Sequence, residues 1–237
     1  MGESSGGGSV EHQITAYGGA NGRVPFSQAI LISPGFIPGL PPSTIQSTQD
    51  DYLKLLNVDT LDEARSLSSE AVIRANEIQE WPARYGGGNY GPAVDNSFVP
   101  ALPGQLLLNG KFDQNVRILV SHNLNEGVVF TPPWVISDEV YRRYVNDGLP
   151  GASSEVMDDL VNNIYPPVYN GDNGYTNLLQ RTSATIGEGI FACNSYFLAN
   201  ALAGKSYACK FFYPSNNTYS RILSTFPIPR QKAFTKI

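Results

Sequence analysis

Near the start of the chain, Gly2-Glu3-Ser4-Ser5-Gly6 has the spacing G-x-S-x-G. Glycines so placed allow a sharp turn from strand into helix that holds a serine hydroxyl, here Ser4 Oγ, at the helix N-terminus. There the helix dipole and the unpaired N–H groups of the first turn favour developing negative charge. The backbone N–H of Ser5 is a candidate oxyanion donor. The chemistry so equipped would be nucleophilic catalysis through a covalent intermediate. A phosphate-cradling glycine loop is the competing reading, but no Lys follows where such a loop needs one. A serine nucleophile also needs a base, and the chain has two histidines, His12 and His122. His12 lies eight residues past Ser4, ~12 Å along a helix axis, which puts it out of reach. His122 ends a strand and is the other candidate. Neither completes a triad. The two cysteines, Cys193 and Cys209, read as packed hydrophobes rather than metal ligands or a disulfide framework.

The elements that would position Ser4 are legible in outline. Gly7 to Tyr17 reads as a helix closed by Gly18-Gly19. Gln28 to Ser33 is apolar and β-rich and stops at Pro34-Gly35, as a buried strand does. A loop follows over Pro38 to Pro42, then helices that include Asp51 to Leu56 and Ser69 to Glu80. Tyr85 to Pro103 is irregular. Val116 to Val120 is a second strand, and Tyr207 to Tyr213 a third. Between them lie helical stretches at Asp138 to Asp147, Ser154 to Ile164, Tyr175 to Thr185 and Gly189 to Ala203. Strands separated by long helical segments predict an α/β fold with a mostly parallel sheet. No internal repeat and no linker divides the chain.

Composition narrows the function. The 237 residues include 16 basic and 21 acidic ones, for a net charge of −5, which argues against nucleic acid or an anionic membrane surface as a partner. The longest apolar runs are too short to span a bilayer. Met1 to Gly6 has neither the basic nor the apolar segment of a signal peptide, and Gly6 stands where a myristoylation signal needs Ser or Thr. Asn216-Asn217-Thr218 matches a glycosylation sequon.

Three blocks carry a resemblance. Gly2-Glu3-Ser4-Ser5-Gly6-Gly7-Gly8-Ser9-Val10-Glu11-His12-Gln13 is the first, and Val24-Pro25-Phe26-Ser27-Gln28-Ala29-Ile30-Leu31-Ile32-Ser33-Pro34-Gly35-Phe36 the second. The third is Gly91-Pro92-Ala93-Val94-Asp95-Asn96-Ser97-Phe98-Val99-Pro100, followed by Val116 to Val120 and Ser121-His122-Asn123-Leu124-Asn125-Glu126-Gly127. In this order they resemble the type B carboxylesterase/lipase family, the cholinesterase-like α/β-hydrolases, and its fungal members in particular. The resemblance implies an α/β-hydrolase fold that is N-terminally truncated, a partial sheet with helices and a helical insertion, over residues 1–237, with 215–237 a divergent tail.

It also implies a carboxylic ester hydrolase acting through an acyl-enzyme. Ser4 resembles the nucleophile, Glu126 the acid that orients the catalytic histidine, and Ser5 the oxyanion N–H. Glu3 resembles the family's buried acidic neighbour of the nucleophile, and Ser33 its serine beside the triad. The reaction needs no cofactor and no metal, and the substrate would be a small-molecule or lipid ester. Chain order, Ser before Glu, agrees with the fold. Cys193 resembles a position that bonds a Cys near the C-terminus in cholinesterase relatives, a partner this chain lacks.

The chain departs from the family in two ways. The oxyanion-loop glycines and most of the central sheet lie upstream of the elbow in the family, as would any signal peptide. The catalytic histidine's aligned position is Thr218. The expectation is therefore an enzyme fragment inactive by itself, with residues after about Pro214 reading as a shifted or alternative frame. Two alternatives stand beside it: a non-catalytic, cholinesterase-like binding or adhesion protein, and an incomplete gene product.

Overall fold

The computed structural model describes residues 1–35 and 40–211. Four strands, β1 (Gly2–Glu3), β2 (Gln28–Ile32), β3 (Arg117–Asn123) and β4 (Ser206–Phe211), form a parallel sheet in the order β1-β2-β3-β4. The helix α1 (Ser5–Ile14) follows β1 directly, starting two residues earlier than the Gly7 expected from sequence. It ends before Tyr17 because a tight turn at Ala16–Gly19 places Tyr17 and Gly18 at positive φ.

The helices α2 (Pro42–Leu56), α3 (Leu61–Arg65) and α4 (Ser69–Glu80) come next. Pro at the start of α2 costs nothing, since that N–H would be unpaired anyway, so the helix begins well before the expected Asp51. Thr60 and Glu63 form a reciprocal capping box on α3. A short helix α5 (Pro103–Leu108) ends the stretch expected to be irregular. Then follow α6 (Asp138–Gly148), α7 (Ser154–Asp159), α8 (Leu178–Gly187) and α9 (Cys193–Ala201).

The expected helix Ser154 to Ile164 is continuous, its last turn Leu160–Ile164 being a wide π turn. A second π turn, Glu188–Ala192, fuses α8 and α9 where two separate helices were expected. The strand β4 begins at Ser206, and the expected Phe212 and Tyr213 lie outside the described residues.

Two cores result. Ala29, Leu31, Ile118 and Val120 project from one face of the sheet onto Ile14 of α1, Leu107 of α5, and Leu198 and Leu202 of α9 with its cap. A second core, rich in tyrosine, joins Tyr141, Tyr144, Met157, Tyr165, Tyr175 and Ile186 within the helical region. There Arg181, 2% exposed, donates to the Tyr165 and Val161 carbonyls and to Asp138.

Candidate active site

Each of the first three strands delivers a residue at or just after its carboxyl end, where ligands bind in open parallel sheets. Ser4 sits between β1 and α1 with φ 53° and ψ −122°, a conformation non-glycine residues rarely adopt. The Ser4 N–H bonds the Ile32 carbonyl at 2.9 Å, while the Ser4 carbonyl accepts from Gly8 at 3.0 Å and Gly35 at 3.1 Å. The strain is held by hydrogen bonds on both sides of the residue. The flanking glycines explain the turn: a Cβ on Gly2 would lie 2.1 Å from the Gly6 carbonyl oxygen, and one on Gly7 2.9 Å from Pro34 Cα. Gly6 itself meets nothing within 4 Å, so Gly2 and Gly7 are the glycines that the described packing demands.

Ser33, after β2, also has a positive φ, at 47°. Its Oγ donates to Glu126 Oε1 at 2.6 Å. The Asn123 N–H, at 2.6 Å, and Asn123 Nδ2, at 3.1 Å, donate to the same oxygen. Three donors thus converge on one carboxylate oxygen, which leaves Oε2 open to a further donor among the described residues. Glu126 opens a short 3₁₀ turn, Glu126–Phe130. That turn is pressed against α8, since a Cβ on Gly127 would lie 1.9 Å from the Ser183 carbonyl oxygen.

The remaining sequence-derived candidates fall as follows. Ser5 opens α1, so its N–H is one of the unpaired donors of the first turn. Glu3 is exposed rather than buried, a correction that follows from its place on the open face of the sheet, opposite the packed core. His12 is buried on α1, and burial lowers its pKa from the ordinary value. His122 Nδ1 lies 2.9 Å from the Asn123 carbonyl oxygen, and partial burial lowers its pKa while Glu126 opposes the shift. Burial pushes the Cys193 thiol up to about 12. Thr218 and the Asn216 sequon lie outside the described residues. Among the described residues, no cluster of His, Cys, Asp and Glu is placed to hold a metal, and no helix is long and apolar enough to cross a membrane.

Two residues of the π-turn region escaped the sequence reading. Asn194 Nδ2 donates to the Pro34 carbonyl at 3.1 Å, and the Phe191 ring fills the space a Cβ on Gly35 would need. The expected gap between Thr185 and Gly189 is bridged in the structure by a continuous helix with one wide turn.

The fold is that of the α/β-hydrolases. It superimposes on the crystal structure of Aspergillus niger EstA with a TM-score of 0.70 at 22% identity, covering 88% of this chain and 42% of that one. In sequence, 212 residues, 89% of the chain, are 42% identical to carboxylesterase patB of Penicillium expansum, of which they span 38%. A namesake from Aspergillus clavatus is 36% identical over 215 residues, 90% of the chain and 39% of its own length. No family profile matches. The chain is similar to carboxylesterases of the type B carboxylesterase/lipase family, and it spans less than half the length of the curated relatives it matches.

Proposed function

We propose that this chain carries the nucleophile and the acid of a carboxylic ester hydrolase, Ser4 and Glu126, within one partial α/β-hydrolase domain whose residues 215–237 diverge. The supporting observation is the Ser33 Oγ to Glu126 hydrogen bond of 2.6 Å. It ties the loop after β3 to the turn whose next residues hold the strained Ser4. In the reaction, Ser4 Oγ attacks the ester carbonyl carbon, and the Ser5 N–H supports the developing oxyanion. The alcohol leaves, and water then releases the acid from the acyl-enzyme. Glu126 Oε2 would orient the imidazole that takes the serine proton. Ser33 supports this arrangement from beside it through its bond to Glu126. The substrate is a small-molecule or lipid ester, and the chemistry calls for no cofactor.

By itself the chain is proposed to be inactive. A neutral serine hydroxyl needs a base within hydrogen-bond reach, and Thr218 at the aligned position cannot accept a proton at neutral pH. The test is a chimera in which residues 1–211 replace the matching segment of the Penicillium expansum relative. The chimera should hydrolyse p-nitrophenyl acetate and take up a fluorophosphonate label, and Ser4→Ala should abolish both. Labelling at the same site after Ser4→Ala refutes the nucleophile. Turnover through Ser4 by the 237-residue chain alone refutes the inactivity.

A further inference from the structure

Three consecutive residues after β2 hold three different parts of the site. Ser33 Oγ holds Glu126, the Gly35 N–H holds the Ser4 carbonyl, and the Pro34 carbonyl between them accepts from Asn194 Nδ2. The Ser33 and Gly35 N–H groups bond the Ser121 and Ser4 carbonyls, whereas Pro34 has no N–H, so its carbonyl is the group through which the middle of this turn is held. Asn194 is 4% exposed and its amide also reaches the Ile190 carbonyl, so both contacts are made away from water. We infer that Asn194 is a positioning residue for the nucleophile: it pins the Ser33–Gly35 turn and thereby the register between Ser4 and Glu126. The inference rests on the assignment of those two residues under the proposed function.

The π turn explains how one helix reaches both halves of the site. Gly187, before the turn, faces Gly127, whose backbone N would lie 2.9 Å from a Cβ on it; Asn194, after it, faces Pro34. Within the turn the Cys193 N–H bonds the Glu188 carbonyl, one residue further back than in an α-helix. That extra residue rotates Asn194 by roughly 100° from where an unbroken helix would carry it. Phe191, 4% exposed, closes the gap against Gly35. The Glu126 loop and the Ser4 turn are therefore both referenced to one rigid element, α8 through α9.

The test is made in the same chimera with Asn194→Ala and, as a control, Tyr175→Phe. The control removes a buried hydrogen bond, to the Pro166 carbonyl, in the separate tyrosine-rich core. Asn194→Ala should lower kcat roughly ten- to a hundredfold with KM within about twofold, as small misplacements of reacting groups do. In hydrogen–deuterium exchange, the peptide covering Ser33–Gly35 should lose about tenfold of its protection. Tyr175→Phe should lower Tm comparably while leaving kcat and that peptide unchanged. Equal loss of kcat in both variants, or unchanged exchange at Ser33–Gly35 in Asn194→Ala, overturns the inference. Should Ser4→Ala retain activity, the nucleophile assignment fails by itself, and the exchange result still decides whether Asn194 fixes the turn.

Discussion

The two faces of the sheet differ sharply. On one, Leu31 and Val120 are fully buried and Ala29 and Ile118 nearly so, packed by α1, α5 and α9. On the other, Ile30, Leu119 and Tyr207 pair across three strands in one row, and they are 40%, 41% and 76% exposed. Yet Ala29-Ile30-Leu31-Ile32 is an unbroken apolar run, the composition of a parallel strand buried on both faces. The strands carry side chains suited to a cover that the described residues do not supply. The site survives this because Ser33 and Glu126 are held by the loops at the strand ends and by α8 to α9 rather than by the open face.

Mutations on the two faces should therefore separate. Leu31→Ala, on the packed face, should cost about 2–5 kcal/mol in denaturant melts of the chimera, the range for leucine truncation in a tight core. A loss under about 1 kcal/mol would mean that this face is not the stabilising one.

Glu11 adds a second, pH-dependent effect on the packed side. It is fully buried on α1, its carboxyl oxygens have no hydrogen-bond partner among the described residues, and burial raises its pKa well above the ordinary 4.5. The folded state therefore holds the proton longer than the unfolded state. This contribution to stability is full below about pH 4.5 and is lost as pH rises toward the folded value. Relative to the parent, Glu11→Gln should gain stability with increasing pH, at most about 1.4 kcal/mol per pH unit. Parallel stability–pH curves for the two proteins would contradict it.

In the 237-residue chain by itself, Leu119→Ala on the open face should cost less than Leu31→Ala, since Leu119 is already 41% exposed there. The smallest thermodynamic effect belongs to the double variant Leu119→Lys, Tyr207→Lys, expected within about 0.5 kcal/mol of the parent. In the 237-residue chain alone, which should aggregate through its apolar row and the open part of β2, the same double variant should cut light scattering. A monodisperse parent chain with a sharp thermal transition would remove the reason for this contrast.

Much of this arrangement was legible because it is local. The elbow glycines, the apolar run before Pro34-Gly35 and the acid just before Gly127 each sit within a few residues of the feature that they build. Glu126 needed the resemblance, since a loop carboxylate carries no distinguishing pattern of its own. Asn194 was beyond reach: its partner is a backbone carbonyl 160 residues away, and no side-chain code announces such a pair. The exposure of Glu3 was missed for a related reason, because burial of an edge residue depends on what covers the sheet.

Sheet order has a consequence during synthesis. Each strand pairs with the one made before it, in the order β1-β2-β3-β4, so the growing edge always waits for a strand not yet translated. Residues 33–116 separate β2 from β3, and at roughly 5–20 residues per second the β2 edge stays open for on the order of ten seconds. During that interval Ala29 to Ile32 is a nascent apolar strand, with Gly2 and Glu3 paired to Leu31 and Ile32 on one side. The positive-φ turn at Ser33 and the Pro34 after it, which has no N–H to donate to a neighbouring strand, stop that strand from growing longer. The turn that fixes the site thus also limits the stretch of edge that a nascent chain exposes to its neighbours on the ribosome.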